Sequence, residues 1–399
     1  MTAETVMMVV CAVSLALYAA MNISAQWKIH KRPLALCRLP PVSVLKPLCG
    51  LDDGLYENLR AIIEQDYPNF EVIFGAESAD DPAIEVARRL QLYYSEKKIS
   101  IIAGFSWTGL NPKVNNVMVL SHSAKNDLVL ISDSNVRPDK GYLRAIVAEM
   151  SDKRVGLVSS LLVGRGEKTL GSALENLHLN TVVAGGVCGM HVVAGQSLAI
   201  GKSMLFRLSE FRSLGGFRAV KNILAEDFII GKMYEKAGYR VALSTHLLPT
   251  FNQSWPVSRF LSRHVRWSQL RRRLFPVAYL FEPLSNPVPL LLAALALSFS
   301  GRPGDGDALR MTATGGLFIK VAMDITLAWR LRGERPTKWI LLLIPAKDCI
   351  MTGVWLVAAF KSTVMWRGHP LRIGAGTVLR PMNPTPEDAV EQEATGEAA

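Results

Sequence analysis

Cysteine is scarce in this chain, and the usual metal-binding patterns of cysteine and histidine are absent. The five cysteines among 399 residues are scattered without a C-x-x-C pair, and the seven histidines form neither H-x-x-x-H nor H-E-x-x-H. These absences exclude a disulfide scaffold and argue against a zinc site. We therefore expect reduced thiols and a main domain that faces a reducing compartment.

A long Lys/Arg-rich block interleaved with aromatic residues is also missing, although the formal net charge is +11. The basic residues flank apolar segments instead, as the positive-inside rule predicts. Hydrophobic residues make up 49% of the chain, which is high for a purely soluble protein. The composition therefore predicts a membrane as a partner and no nucleic acid.

The amino-terminal segment predicts a membrane anchor. No residue from Thr5 to Ala25 is charged, and this run is long enough to span a bilayer. A cleaved signal peptide carries its basic residues before the apolar core, whereas here they follow it from Lys28 onwards. We expect an uncleaved anchor over residues 1–27, with its amino end outside and the rest of the chain starting on the cytoplasmic side.

Residues 33–270 alternate between strand-like and helix-like segments and are interpreted as one domain. Such alternation is typical of an α/β fold with a mostly parallel sheet and helices on both faces. Strands are predicted at 42–46, 70–75, 99–102 and 127–133, and helices at 52–65, from Asp81 onwards, and at 113–124 and 226–237.

The stretch 127–133 delivers Asp133, and then Asn135, just past the end of an apolar run. Ligands of open α/β sheets bind beyond the carboxyl ends of the strands, where a carboxylate can hold a divalent cation against a diphosphate. Asp133 and Asn135 are therefore candidate metal ligands. The alternative is that Asp133 only opens a turn or caps a helix starting near Pro138.

Three further groups carry candidate chemistry, and each also has a plain structural explanation. Asp81 follows the second strand, but Asp before Pro is a common helix start. Glu226 and Asp227 suit the first turn of a helix as capping charges. Arg263, Arg266 and Trp267 suit an amphipathic face lying on the membrane. The phosphate-loop-like segment 164–169 is set aside, because Glu167 stands where a glycine is needed.

Taken in order, these groups resemble the D, D, D, (Q/R)-x-x-R-W series of inverting, membrane-associated glycosyltransferases with the GT-A fold. The longer blocks are similar to those of ceramide glucosyltransferases and their bacterial relatives. These blocks lie at 41–50, 66–68, 80–84, 111–116, 133–134 and 225–227. The similarity covers about residues 40–284 and is weaker over 174–193, where the family contacts its acceptor.

The resemblance implies a Rossmann-like GT-A domain that binds a UDP-sugar together with Mg²⁺ or Mn²⁺ held at Asp133. It further implies that Asp81 binds the nucleotide end and that Asp227 is the general base of an inverting transfer. Arg263, Arg266 and Trp267 would close over the diphosphate and the acceptor. The remaining expected donor-pocket residues are Lys46, Lys113, Asn116 and Glu226; for Lys113 and Asn116, a solvated helix face is the alternative.

Residues 271–366 return to the membrane. The segment 274–281 suits the interface, 283–301 is uncharged and can span, and 311–329 carries Lys320 and Asp324 at a spacing that lets them pair. In 339–360, Lys347 and Asp348 are central, and a span there would place the basic stretch 361–380 outside. We expect an interfacial or re-entrant element, followed by a cytosolic and partly disordered tail over 367–399.

The expected protein is an integral membrane enzyme, of a bacterial inner membrane, that moves glucose from UDP-glucose to a lipid hydroxyl such as that of ceramide. A UDP-hexosamine or UDP-uronic acid transferase acting on another lipid, such as a hopanoid, is the nearest alternative. A processive polysaccharide synthase needs a channel of many helices, and the few spans argue against it. A non-enzymatic membrane protein with a nucleotide-binding fold would not need Asp227 and Arg266 together.

Overall fold

The computed structural model describes residues 2–31, 38–105, 108–193, 195–196, 198–300, 306–334, 338–366 and 369–382. The expectations for Cys37 and for the chain beyond residue 382 lie outside these ranges. No disulfide joins the four cysteines within them.

Two sheets are present among the described residues. The strands are Val42–Pro47 (β1), Phe70–Ala76 (β2), Ile99–Ala103 (β3), Leu128–Ser132 (β4), Val155–Arg165 (β5), Ser203–Arg207 (β6), Arg240–Phe251 (β7), Thr363–Trp366 (β8), His369–Ile373 (β9) and Leu379–Pro381 (β10). The large sheet has the order β3-β2-β1-β4-β6-β5-β7. All of its neighbouring strands are parallel except β6, which is antiparallel to both β4 and β5.

Helices surround the large sheet and continue into an apolar bundle. They are Ala3–Ile29 (α1), Leu55–Ile63 (α2), Pro82–Tyr93 (α3), Pro112–Ser123 (α4), Tyr142–Glu149 (α5), Leu170–His178 (α6), Ala184–Val192 (α7), Leu208–Ser213 (α8), Glu226–Lys236 (α9), Val257–Leu274 (α10), Pro276–Phe281 (α11), Pro287–Leu297 (α12), Asp307–Arg332 (α13) and Lys338–Phe360 (α14). A π-helical turn, Leu179–Val183, joins α6 to α7.

The strand sequences explain why both faces of the sheet are covered. Every residue of β1 and β4 is buried, and their side chains alternate between two hydrophobic cores. Val44 and Leu130 pack with α2, α3 and α5 on one face, whereas Leu45 and Ile131 pack with α4, α8 and α9 on the other. Successive strand residues point to opposite faces, so a continuous apolar run predicts burial on both sides. The predicted strands and the mostly parallel sheet are confirmed.

In the part of the chain that the structure describes, three helical segments are long and apolar enough to cross a membrane: Ala3–Ile29, Asp307–Arg332 and Leu342–Phe360. The segment predicted at 283–301 is not one straight span. Its helices Pro276–Ser285 and Pro287–Leu297 meet at a 55° bend, so together they form a broken span or a re-entrant loop. The bend lies at Asn286, whose extended backbone precedes a proline, and the residue before proline is disfavoured in a helix.

Four buried charges join α13 to α14, and we call them the helix charge cluster: Lys320, Asp324, Lys347 and Asp348. All four side chains are at most 1% exposed. Lys320 Nζ lies 2.7 Å from Asp324 Oδ2, which confirms the predicted pair, and it also contacts Asp348. Lys347 contacts Asp348, and the Tyr18 hydroxyl of α1 donates to Asp324. The charges therefore neutralise one another inside the bundle.

The carboxyl ends of α13 and α14 contact the catalytic domain or α10, the helix that leads out of it. Just before α14, Arg332 at the end of α13 has Nη1 2.6 Å from Glu167 Oε1. At the other end, Arg272 of α10 donates from Nη1 to the carbonyl oxygen of Ala359 at 2.5 Å. The chain thus leaves the catalytic domain before α14 and returns to it afterwards.

The carboxyl-terminal strands form a second small sheet of order β10-β9-β8. Its buried side chains Val364, Ile373 and Leu379 pack against Leu224 of the catalytic domain. Leu379 N–H also donates to Asn222 O at 2.7 Å. The strands on either side of residue 366, where the tail was expected to begin, therefore pair with each other in one small sheet.

Candidate active site

The predicted acids meet at the edge of the large sheet where β1, β2 and β4 end. Asp133 follows β4, while Glu226 and Asp227 begin α9, and Lys113 of α4 lies between them. We call Asp133, Glu226 and Asp227 the carboxylate cluster. The structure brings these three carboxylates together as the sequence predicted.

Lys113 is the central cation of this site. Its Nζ lies 2.7 Å from the Gly201 carbonyl oxygen, 2.9 Å from Asp133 Oδ1 and 3.5 Å from Glu226 Oε1. Burial alone would lower the pKa of Lys113, but Asp133 and Glu226 more than offset this and raise it, so the ammonium stays charged. The alternative of a solvated helix face is wrong for Lys113, whose side chain is 16% exposed.

Asp227 is held in a fixed orientation by backbone donors. Gly201 N–H donates to Oδ2 and Phe228 N–H donates to Oδ1, both at 2.8 Å. The residue is half-buried rather than sealed. Burial raises the pKa of Asp227, and burial also raises the pKa of Glu226 to about 7. A carboxylate with a raised pKa and a fixed direction suits a proton acceptor.

Two predicted residues, Asp81 and Asn116, hold backbone at the strand ends beside the site. Asp81 accepts from Ala83 N–H as the cap of α3, and it also accepts from Gly50 N–H at 3.0 Å, beyond the end of β1. Asn116 is fully buried and donates to Gly75 O at 2.9 Å and to Leu48 O at 3.4 Å, so it braces the strand ends and lies on no solvated face.

Lys46 is fully buried under the loop that holds Asp133. Its Nζ donates to Asp133 O at 2.7 Å and to Ser132 Oγ at 3.3 Å. Burial lowers the pKa of Lys46 to about 7, against the opposing charges of Asp133 and Asp52. Lys46 therefore fixes the backbone of the predicted metal-binding residue.

Asn135 lies beside Asp133, but its side-chain oxygen is already engaged. Lys202 Nζ donates to Asn135 Oδ1 and to Thr250 Oγ1, both at 2.9 Å. Oxygen donors such as Asp133 and Asn135 suit Mg²⁺ or Mn²⁺. Asp133 therefore fits a hard cation, whereas Asn135 fits only if Lys202 releases it. Within the described ranges, no group of three His, Cys, Asp or Glu side chains is arranged to hold a metal.

The Arg-x-x-Arg-Trp segment lies on α10, and its arginines face different surroundings. Arg263 stacks near the rings of Trp255 and Trp267, with Cζ 5.3 and 4.4 Å from the ring centroids. Its Nη1 lies 2.9 Å from Glu175 Oε1, as an ion pair whose angle falls outside hydrogen-bond geometry. Arg263 is therefore held between a carboxylate and two indole rings.

Arg266 lies within electrostatic range of Glu226. Burial, and next the charge of Arg263, lower the pKa of Arg266 to about 10, while Glu226 acts in the opposite direction. Arg266 remains a cation at neutral pH. It therefore supplies positive charge on the Glu226 side of the site.

Glu175 is fully buried on α6 and was missed by the sequence reasoning. His264 Nε2 lies 2.8 Å from Glu175 Oε2, and the carboxylate only accepts, so this nitrogen carries the proton. Burial would raise the pKa of Glu175, but Arg263 and His264 lower it to about 2. Glu175 is thus an anion that fixes two neighbouring residues of α10.

The sequence also gave no indication of the roles of Asp53 and Thr377, which hold segments next to the site. Asp53 was expected in a helix start, yet Oδ2 accepts from the backbone of Gln253 and Ser254 in the loop before α10. Thr377 lies in the left-handed region at φ 67°, a strained position for a β-branched residue. Its carbonyl and hydroxyl oxygens accept from Leu224 and Ala225 N–H, at 3.0 and 3.3 Å, just before Glu226.

Comparisons with known proteins give one consistent result. The profile of glycosyl transferase family 21 matches residues 6–379. Ceramide glucosyltransferase 3 of Caenorhabditis elegans is 27% identical over 368 residues, covering 90% of this chain and 78% of that protein. Ceramide glucosyltransferase 1 of the same organism is 28% identical over 366 residues, covering 89% and 76%.

A solved structure supports the fold. The mannosyltransferase PcManGT from Pyrobaculum calidifontis, in complex with GDP-Man and Mn²⁺, aligns with a TM-score of 0.52 at 20% identity. The alignment covers 88% of this chain and 97% of that chain. The expected GT-A fold is confirmed. Because the family profile spans the catalytic domain and the apolar helices alike, this membrane-associated chain belongs to glycosyl transferase family 21.

Proposed function

We propose that this protein transfers glucose from UDP-glucose to the hydroxyl of ceramide or a similar sphingolipid. The observation that carries the proposal is the convergence of Asp133, Glu226 and Asp227 on Lys113 at the carboxyl edge of the sheet. The names of the relatives, which span most of this chain, supply the sugar and the lipid. The transfer inverts the anomeric centre.

Asp227 is the general base in this mechanism. Its carboxylate takes the proton of the acceptor hydroxyl while that oxygen forms a bond to the anomeric carbon and the bond to the diphosphate breaks. The backbone donors of Gly201 and Phe228 hold the carboxylate in one direction, which favours a single approach of the acceptor. One displacement from the face opposite the leaving group gives inversion.

Positive charge on the protein stabilises the departing UDP. Arg266 lies within electrostatic range of the carboxylate cluster, and its charge strengthens the interaction as the diphosphate becomes more negative. Burial lowers the pKa of Lys202 to about 7, so Lys202 adds positive charge when it is protonated. Asp133 would hold Mg²⁺ or Mn²⁺, which when bound would supply Lewis-acid neutralisation of the same group. Asp81 lies at the nucleotide end and accepts hydrogen bonds from uracil or ribose.

The arrangement of the helices supports a cytoplasmic catalytic domain. The end of α13 contacts the domain through Arg332 and Glu167, and the end of α14 contacts Arg272 of α10, so both ends of α14 are placed on the domain's side, as an interfacial or re-entrant element requires. The bent pair 276–297 then crosses outwards and α13 crosses back. With the amino end of α1 outside, the basic carboxyl-terminal strands stay inside, as the positive-inside rule requires. The membrane is the inner membrane of a bacterium.

Tags test this topology directly. A tag at the amino end should be accessible from outside intact cells, whereas tags near Gly141 and after Pro381 should be protected until the membrane is permeabilised. Exposure of the tag after Pro381 in intact cells would mean that α14 crosses the membrane. Exposure of the Gly141 tag would overturn the use of cytosolic UDP-glucose.

The function is tested with purified protein, a panel of UDP-sugars and ceramide in mixed micelles, using mass spectrometry of the lipid product. We expect a hexose increment on ceramide with UDP-glucose, and none with Asp133→Ala. Transfer from UDP-hexosamines or UDP-uronic acids to a native lipid extract, without any from UDP-glucose to ceramide, would favour the alternative donor class. Analysis of the product anomer tests inversion.

A further inference from the structure

Lys113 stands in a position that its local structure disfavours. It is in the first turn of α4, directly after the first helical residue Pro112. The positive end of the helix dipole lies there and repels a cation. Lys113 is nevertheless folded into the site, so carboxylates elsewhere in the fold must hold it.

The ammonium of Lys113 is surrounded by oxygen atoms of the protein. It donates a hydrogen bond to Gly201 O at 2.7 Å and forms ion pairs with Asp133 Oδ1 at 2.9 Å and Glu226 Oε1 at 3.5 Å. Three oxygen atoms from three separate elements thus surround one positive charge, much as oxygen ligands surround a hard cation.

We propose that Lys113 is a built-in counter-ion that competes with the divalent cation for Asp133, so that the cation binds only as the ammonium withdraws. This rests on the proposed function, which assigns the cation to Asp133. A metal ion and an ammonium on the same carboxylate oxygen repel each other. The cation therefore binds weakly to the protein alone and tightly once the donor diphosphate offers Lys113 another partner.

The competition has a clear consequence for donor recognition. A bound diphosphate is the group that can receive the displaced ammonium, since its oxygens accept charge-assisted hydrogen bonds. Metal and diphosphate then enter together, and Lys113 passes from the carboxylates to the phosphate. The metal alone leaves the ammonium without an equivalent partner.

The test measures binding of Mn²⁺ alone to the full-length protein in detergent, by electron paramagnetic resonance of the free ion. We expect Lys113→Met to bind Mn²⁺ at least about tenfold more tightly than the unmodified protein, because a like charge next to the ligand is removed. Lys232→Met removes the same charge from a surface pair with Glu235 and should change nothing. Equal or weaker Mn²⁺ binding by Lys113→Met would overturn the proposal.

A second variant separates competition from net charge and protects the test against misfolding. In Lys113→Met/Glu226→Gln, one positive and one negative charge are lost together, so the net charge of the site is unchanged. This variant should fold and should still bind Mn²⁺ more tightly than the unmodified protein. Binding equal to that of the unmodified protein would mean that Lys113 acts only through the overall charge, and the proposal would fail.

Asp133→Asn distinguishes failure of this inference from failure of the proposed function. It should abolish Mn²⁺ binding in both the unmodified and the Lys113→Met backgrounds. Mn²⁺ binding that survives Asp133→Asn would remove the metal from Asp133 and overturn that part of the proposed function. Binding that depends on Asp133 but ignores Lys113 would leave the function intact and overturn only the competition.

Discussion

Two buried groups of lysines and carboxylates lie in different parts of the molecule, and they are built differently. The carboxylate cluster at the sheet edge sets three acids against Lys113, and Asp227 remains half-buried. The helix charge cluster sets two lysines against two aspartates, all at most 1% exposed. The carboxylate cluster is partly exposed and has more carboxylates than lysines. The helix charge cluster is fully buried and has equal numbers of each.

The difference in charge balance and exposure indicates a different role for each cluster. A balanced and closed set has no unpaired charge left for a ligand, so its role is to hold helices together. An unbalanced set that opens to the surroundings is costly unless a cation, a proton or a substrate group completes it. Excess charge with access, rather than burial alone, marks the functional site.

The largest expected effect is the loss of sugar transfer when Asp227, the proposed general base of the carboxylate cluster, is replaced. Asp227→Asn keeps the shape of the side chain and can still accept from Gly201 and Phe228, so folding and donor affinity should persist. Transfer should fall by about a hundredfold to ten-thousandfold, the usual contribution of a general base. Turnover, donor binding and melting temperature measured on one preparation check this, and near-normal turnover would remove Asp227 from the mechanism.

Breaking the closed cluster should instead destabilise the protein. Asp348→Asn leaves Lys320 and Lys347 with only Asp324, and an uncompensated buried charge costs about 3–5 kcal/mol. The paired change Lys347→Met/Asp348→Leu keeps the balance and should restore most of the stability. Unfolding in detergent measures both variants, with transfer scored per folded molecule. A paired variant as unstable as Asp348→Asn would show that charge balance is not the determinant.

Glu175 shares a feature with each cluster, since it is fully buried and yet holds side chains of the active site. Its pKa of about 2 is below the unfolded value, so its stabilisation is present above about pH 4.5 and is lost as pH falls towards 2. Glu175→Gln should therefore cost about 3 kcal/mol at pH 7, and the difference should shrink below pH 4.5. Denaturant unfolding across pH checks this, and a cost that does not vary with pH would contradict it.

The smallest change in stability is expected for a balanced ion pair whose side chains are partly exposed. Lys232 and Glu235 lie 2.6 Å apart with side chains about 30% exposed. Glu235→Gln should change stability by less than about 0.5 kcal/mol, because exposed ion pairs contribute little. A cost comparable to that of Asp348→Asn would mean that burial does not explain the larger effects.

The sequence revealed the parts of the site that follow regular patterns. Asp133 and Asp227 could be found because each adjoins a recognisable strand or helix, and the pairing of Lys320 with Asp324 follows from helical spacing. Glu175 and Lys202 could not be found, since their partners Arg263 and Asn135 are distant in the chain and meet only through the fold.

Other features carried no usable signal. Nothing in a single sequence marks Thr377 as a residue in the left-handed region, because its conformation is imposed by the contacts around it. Lys347 and Asp348 lie at the centre of a segment that the sequence left between a span and an interfacial or re-entrant element, and α14 buries both, since they pair with each other and Asp348 also pairs with Lys320 of α13. Tertiary pairing decides such cases, and local patterns do not contain it.

The small carboxyl-terminal sheet has a consequence for when the enzyme becomes active. Thr377 and Leu379 hold residues 222–225, the segment that leads into Glu226 and Asp227. The ribosome makes these supports after the described apolar helices, because Thr377 and Leu379 follow α14 in the chain. The large sheet can fold earlier, since domains fold as units during synthesis from the amino end. We therefore expect a chain that ends before Thr377 to lack these supports, so that the proposed base is held in place only after the helical bundle has been synthesised.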